Sequence, residues 1–292
     1  MLRPPYSRQQ LNWHHFGVSH SGDWSLTLRP YYAQLFSNLC ADIMFNSHTG
    51  WRISSDGRHW YAYFSELDTE ERESINEFVE KYQQFVILDL NDNISPYYSD
   101  ELDACMCLNF NMFQTDSGDL MRTEDGINVY RAKYERSPDA IDTLGQDMNE
   151  AINWLPIAST LDRFIPRCLT YIPAEPDKLF HLPRELAYNL MRRTPAEDAH
   201  RLGHLIEARL TTSKIPLKNA TLDEKLAEWQ RITTEQAIDL SASVAGRAVY
   251  VIDDLYQSGV TMWTFAKYLK SIGARWVFGL VAVKSLRDTD NV

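Results

Sequence analysis

Cysteine is scarce in this 292-residue chain. There are four, Cys40, Cys105, Cys107 and Cys168, and none forms a CxxC pair. That excludes a disulfide-stapled small domain and a four-cysteine zinc ribbon. No apolar run approaches the ~18 residues of a membrane-crossing helix. The opening MLRPPYSRQQLNWHH holds no apolar stretch of leader length. Twelve glycines and twelve prolines, with no internal repeat, exclude collagen, low-complexity disorder and solenoids. The expectation is a reduced, cytoplasmic, soluble protein with no membrane contact. At roughly 100–200 residues per domain, it should hold two domains.

What is present is acid, unevenly spread. The net charge is −11, and residues 51–150 carry 22 acidic against 8 basic side chains. Such a segment repels a polyphosphate backbone, so direct binding of duplex nucleic acid is not expected. Residues 151–292 are near neutral and remain open to a small phosphorylated ligand.

The polar, turn-rich stretch 115–126 (TDSGDLMRTEDG) reads as a domain boundary. Residues 1–125 form an acidic α+β domain, for which a protein-docking role is kept. Residues 127–292 form the second domain. In the first, the patterns predict helices over 30–44 and 68–84 and strands over 59–64 and 85–90. In the second they predict helices over 138–153, 182–193, 196–208, 222–238 and 260–272. The strands fall at 168–173, 247–252 and 276–283, with Gly273 as a helix cap. Strands separated by helices in this order imply a mostly parallel sheet.

One segment carries chemistry: Ala248-Val-Tyr-Val-Ile-Asp-Asp-Leu-Tyr-Gln-Ser-Gly-Val-Thr-Met262. It reads as an apolar strand, two adjacent carboxylates, a short loop and a helix start. In open α/β sheets, ligands sit beyond the carboxyl ends of the strands. Gln257, Ser258, Gly259, Val260 and Thr261 offer backbone N–H groups and two hydroxyls at a helix N-terminus, a cradle for phosphate. Asp253 and Asp254 are acceptors suited to ribose hydroxyls. The plain alternative is a strand–helix junction with a surface acid pair. Tyr256 is placed either to stack on a ligand ring or to pack. His14, His15 and His20 lack Cys or Glu partners and read as a polar loop. Cys105 and Cys107 alternate as in a strand and are expected to pack.

On these residues the segment resembles the phosphoribosyl-pyrophosphate signature of type I phosphoribosyltransferases. Residues 249–252, Asp253, Asp254, Ser258, Gly259, Thr261 and Met262 fall on that pattern. A fainter likeness to the competence-protein F (ComF-like) branch spans roughly 127–292. It rests on Tyr130-Arg-Ala-Lys-Tyr134, on Tyr171-Ile-Pro173 with Phe180-His-Leu-Pro-Arg-Glu-Leu-Ala187, and on residues 211–229 with Lys214, Lys218 and Lys225 as a basic hood. The implied fold class is α/β: a parallel-sheet type I phosphoribosyltransferase fold preceded by a smaller α+β domain.

The resemblance further implies phosphoribosyl pyrophosphate bound with Mg²⁺ and transfer or cleavage at ribose C1. Asp253 and Asp254 would hold the ribose and stabilise developing positive charge, and Mg²⁺ would be held through the ligand and these acids. The loop 257–261 would hold the 5-phosphate. Residues 174–178 would form a pyrophosphate loop, with Lys178 its nearest base. Three departures stand out. The cysteine-rich zinc module of the competence branch is missing, Phe180-His181-Leu182 replaces a Phe-Asn-Gln start, and Gln257 replaces an acid that faces the base in purine-salvage members. A glutamine cannot act as general base. A non-catalytic nucleotide sensor therefore stays beside the enzyme reading. So does an effector of a bacterial defence cassette, since similar domains lie beside retron reverse transcriptases. Homo-oligomerisation is left open.

Overall fold

Alternation in Trp24–Leu28 and Trp60–Phe64 turns Leu26, Leu28, Ala62 and Phe64 inward, all fully buried. These strands pair antiparallel inside a four-stranded sheet with His15–Val18 and Arg52–Ile53. Helix Pro30–Leu39 contributes Phe36, and helix Thr69–Tyr82 contributes Phe78, their rings meeting edge to face at 5.1 Å. The second helix begins where Asp68 and Glu71 each accept the other's backbone N–H, a reciprocal cap.

The computed structural model describes residues 8–10, 14–55, 57, 59–82, 85–88, 93–99, 101–115, 117–152, 165–193, 202–215, 217 and 220–286. The chain divides into two units, one chiefly Gln9–Val86, the other chiefly Ile87–Leu155 with Asp162–Val292. The division at residue 86 corrects the boundary expected at 115–126. That polar stretch is instead the turn of a hairpin, Met112–Gln114 with Leu120–Arg122, leading into a helix. The strand before it, Ala104–Phe110, is buried inside the main sheet and belongs with the second unit.

That sheet has seven strands: β1 (Arg8–Gln10), β2 (Val86–Leu88), β3 (Ala104–Phe110), β4 (Arg167–Tyr171), β5 (His204–Leu205), β6 (Ala248–Tyr256) and β7 (Trp276–Lys284). Their order is β1-β2-β3-β7-β6-β4-β5. From β3 to β5 every pairing is parallel. The sheet is buried on both faces, which is why β6 and β7 read as continuous apolar runs. Helices α1 (Glu124–Tyr130), α2 (Pro138–Ala151) and α3 (Leu182–Arg193) pack against it. So does α5 (Val260–Ser271), which also packs on α4 (Leu222–Thr234).

Three expectations change. The helix expected over 196–208 lies partly outside the described residues, and from His204 on the chain is extended. Ile206 donates its N–H to Leu169, and Ala208–Leu210 pairs with Ile238–Leu240. Buried Ala208 and Leu210 flank exposed Arg209, a period of two that short length disguised. For the same reason α4 stops at Thr234, and Gln236 takes a left-handed conformation before Ile238 enters its strand. Finally, β6 does not end at Ile252. It runs through both acids to Tyr256, because β7 pairs with it that far.

Candidate functional site

The last residues of β6 place the acids. Successive strand residues face opposite sides of a sheet, so Asp253 and Asp254 diverge. Both are more than nine-tenths buried. Asp253 shares a cavity of about 330 Å³ with Lys133, Lys214 and Lys225. Gln257, Ser258, Gly259 and Thr261 line the same cavity. Asp254 forms an ion pair with Lys133. The Asp254 N–H donates to Asp253 Oδ1 at 2.8 Å. Burial, then the charge of Asp254, raises the Asp253 carboxyl well above its ordinary range. Burial opposes the charge on Lys133, but Asp254 and then Asp253 outweigh it and hold its ammonium above the usual value.

The sequence does not mark Lys133 as a site residue, although its segment Tyr130–Tyr134 carries part of the resemblance. Lys133 sits in one π turn, Arg131–Glu135, between α1 and a left-handed Arg136. Such turns recur at functional sites, where the wider coil re-aims a side chain. Here it aims an ammonium at the acid.

The loop after β6 opens α5 with Gly259 at the N-cap, φ +94°. The first N–H groups of a helix have no partner within it and carry its positive dipole end. Gln257 is held on two sides. Its Oε1 accepts from Lys225 Nζ at 3.5 Å, and its carbonyl accepts from Lys284 Nζ at 2.8 Å. Thr261 Oγ1 accepts from the indole of Trp229 at 3.1 Å. Lys214 lies 4.8 Å above that indole, its ammonium held below its ordinary pKa by burial against the pull of Asp253. Val260 is 1% exposed and faces the core, so it can offer only backbone. Tyr256 is packed rather than poised to stack: its hydroxyl accepts from the Trp263 indole at 3.0 Å.

Lys178 is not brought to this cavity. With Glu175, Asp177, Arg184 and Arg209 it borders a separate cavity of about 430 Å³. Its loop follows β4, whose Tyr171 pairs with Ile252, so the loop leaves the sheet beside the acids. Lys218 lies outside the described residues. Among the described residues no three His, Cys, Asp or Glu side chains are grouped to hold a metal ion. The donors present are hard carboxylate oxygens, which suit Mg²⁺ only when a ligand's phosphates and water complete its shell.

His181, just before α3, is also near Asp254. It is 5% exposed, and its Nδ1 has no partner among the described residues. Burial, then Lys178, lowers its pKa to about 3. Folded, it therefore binds fewer protons than unfolded below about pH 6.5. Its stabilising contribution is complete above that pH and is lost as pH falls toward 3. Urea unfolding should show His181→Asn losing about 1.5 kcal/mol less than the parent between pH 6.5 and pH 5. Equal losses would place the acid sensitivity elsewhere.

No family model and no curated protein matches the chain. Solved structures overlap it in part. A hypoxanthine phosphoribosyltransferase from Staphylococcus aureus shares 9% identity over 51% of this chain and 65% of its own, at TM-score 0.30. The Trypanosoma cruzi hypoxanthine enzyme gives 11%, 52%, 68% and 0.32. The Leishmania tarentolae HGPRT-ase solved with GMP gives 12%, 53%, 72% and 0.32. The chain thus spans about two thirds of their length. Overlap this partial assigns neither family nor substrate. Among the described residues no helix is long and apolar enough to cross a membrane.

Proposed function

We propose that the second unit is a phosphoribosyltransferase-type domain that binds phosphoribosyl pyrophosphate at the carboxyl end of β6. One observation carries the reading: a buried acid pair runs directly into a glycine-bearing helix N-terminus, and Asp253 and that N-terminus line one lysine-rimmed cavity, whose Lys133 is paired with Asp254. The loop N–H groups take the 5-phosphate. Asp253 accepts from the ribose hydroxyls. Asp254 exchanges its bond with Lys133 for a second ribose hydroxyl, freeing the ammonium for the leaving pyrophosphate. The bond from C1 to the pyrophosphate oxygen breaks, and a nitrogen nucleophile forms the new bond and sheds its proton. Asp253 and Asp254 offset the positive charge that develops on the ring. Bound Mg²⁺, held by the ligand's phosphates with Asp253 and Asp254, would neutralise the departing group. Gln257 cannot take a proton, so the acceptor must lose its own to solvent or to another group.

Calorimetry with phosphoribosyl pyrophosphate and Mg²⁺ tests binding, and pyrophosphate release across a nucleobase panel tests transfer. We expect a dissociation constant of about 1 μM to 1 mM, the usual range for enzyme substrates. Plain ribose should bind far more weakly. A folded protein that ignores phosphoribosyl pyrophosphate refutes the proposal. Tight binding without pyrophosphate release refutes the transferase and leaves a nucleotide receptor.

A further inference from the structure

Lys284 ends an otherwise apolar strand and is 1% exposed, an unusual place for an ammonium. It pairs in register with Tyr256, and the next residue, Ser285, donates its N–H to the Tyr256 carbonyl at 2.9 Å. The two strands therefore stay joined just past the acids, which delivers the lysine beneath the loop. Its Nζ donates to the carbonyl of Gln257 at 2.8 Å and to that of Ser285 at 3.0 Å. The ammonium also lies 5.6 Å from the centre of the Tyr256 ring.

Two consequences follow from elementary geometry. In a trans peptide the C=O and the following N–H point in opposite directions. Fastening the Gln257 carbonyl to Lys284 turns the Ser258 N–H to the other side. The same bond fixes a full positive charge one peptide behind the loop. Burial shields that charge from screening, so its field acts at higher strength than that of a surface lysine.

We infer that Lys284 is a specificity-determining positioning residue: it makes the loop select a doubly charged phosphate over a singly charged anion of the same shape. The inference rests on the phosphoribosyl reading above. Other charges face this region: Lys133, Lys214, Lys225 and Asp253 around the cavity, and Cys107, whose thiol Lys284 pulls down against a stronger rise from burial. The cavity lysines line open space and draw any anion inward. Lys284 is fixed by its strand and does not touch the ligand, so its effect grows with the charge the loop holds.

The test titrates D-ribose 5-phosphate and D-ribose 5-sulfate into the parent, Lys284→Met and Lys284→Arg at pH 8. The phosphate is then a dianion, since its second pKa is about 6, and the sulfate a monoanion. The parent should prefer the phosphate. Lys284→Met should lose about tenfold or more for phosphate but only about threefold for sulfate, because the attraction scales with ligand charge. Lys284→Arg should recover most of the preference. Equal losses for both anions, or no loss, overturn the inference and leave Lys284 a support for the loop. Should Lys284→Met fail to fold, Lys284→Gln keeps a donor without the charge and carries the same comparison. A parent that binds neither anion refutes the phosphoribosyl site itself, whatever the variants do.

Discussion

Asp253→Asn with Asp254→Asn should abolish binding of phosphoribosyl pyrophosphate while leaving a folded protein. Each lost hydrogen bond to a charged group removes about 1.5–3 kcal/mol, so two removed together weaken a micromolar ligand to roughly 0.2–25 mM. The single change Asp253→Asn should do something further. The Asp253 carboxyl is raised by burial and by Asp254, so the folded state holds its proton more tightly than the unfolded chain. Its stabilising share is present below about pH 4, the unfolded value, and is lost as pH rises through the folded value. Asparagine keeps the oxygen that accepts the Asp254 N–H and carries no charge to bury. The ligand-free variant should therefore be more stable than the parent at pH 8 by about 1.4 kcal/mol or more, and no more stable near pH 4. Chemical unfolding at the two pH values reads this directly. A variant destabilised at pH 8 would show that the buried charge is matched by its surroundings and is no burden.

Gly259→Val should be the most damaging single change in the loop, but not because a side chain enters the phosphate site. At φ +94° a branched residue is strained wherever it points. A Cβ on Gly259 would lie 2.3 Å from the Tyr256 hydroxyl and 3.1 Å from Ile94 Cδ1. It would push into the packing behind the loop. The damage should then appear in stability as well as in binding: a loss of about 3 kcal/mol or more, with affinity for a 5-phosphorylated ribose falling at least tenfold. Gln257→Ala keeps the backbone and loses only the long contact with Lys225, so its affinity should change by less than about threefold. Thermal unfolding and calorimetry on both variants check the pair. Parent-like behaviour of Gly259→Val, with a collapse in Gln257→Ala, would mean that side chains and not backbone hold the anion.

The helix Leu182–Arg193 is legible from its sequence alone, with Pro183 in the first turn and two arginines in the last. So is the helix Val260–Ser271, with Gly273 just past its end. Local rules are sufficient there, because capping and periodicity lie within a few residues of each other. The reach of β6 is not legible. Two adjacent acids look like a loop, and only the pairing with β7 and the distant Lys133 make a strand tolerable at Asp253 and Asp254. Lys133 and Lys284 are hidden for the same reason: each is an ordinary basic residue until the fold sets it beside something more than twenty positions away. The central place of Ala104–Phe110 is hidden too, since a buried parallel strand carries no alternation to betray its neighbours.

That strand has a kinetic consequence. Asp103, at its edge, accepts the Val277 N–H across 174 residues of sequence. Its partner on that side, β7, is the last strand in sequence order among the described residues. At about 5–20 residues per second, synthesis leaves Ala104–Phe110 waiting roughly 10–35 seconds for that partner. Throughout that interval an apolar strand lacks the edge it is built to meet, the kind of surface that invites pairing with other chains. Closing so wide a loop before any reward also slows refolding of the finished chain. Variants that weaken β7 should thus show their effect first as lower soluble yield during expression, before any change in the activity of the molecules that do fold.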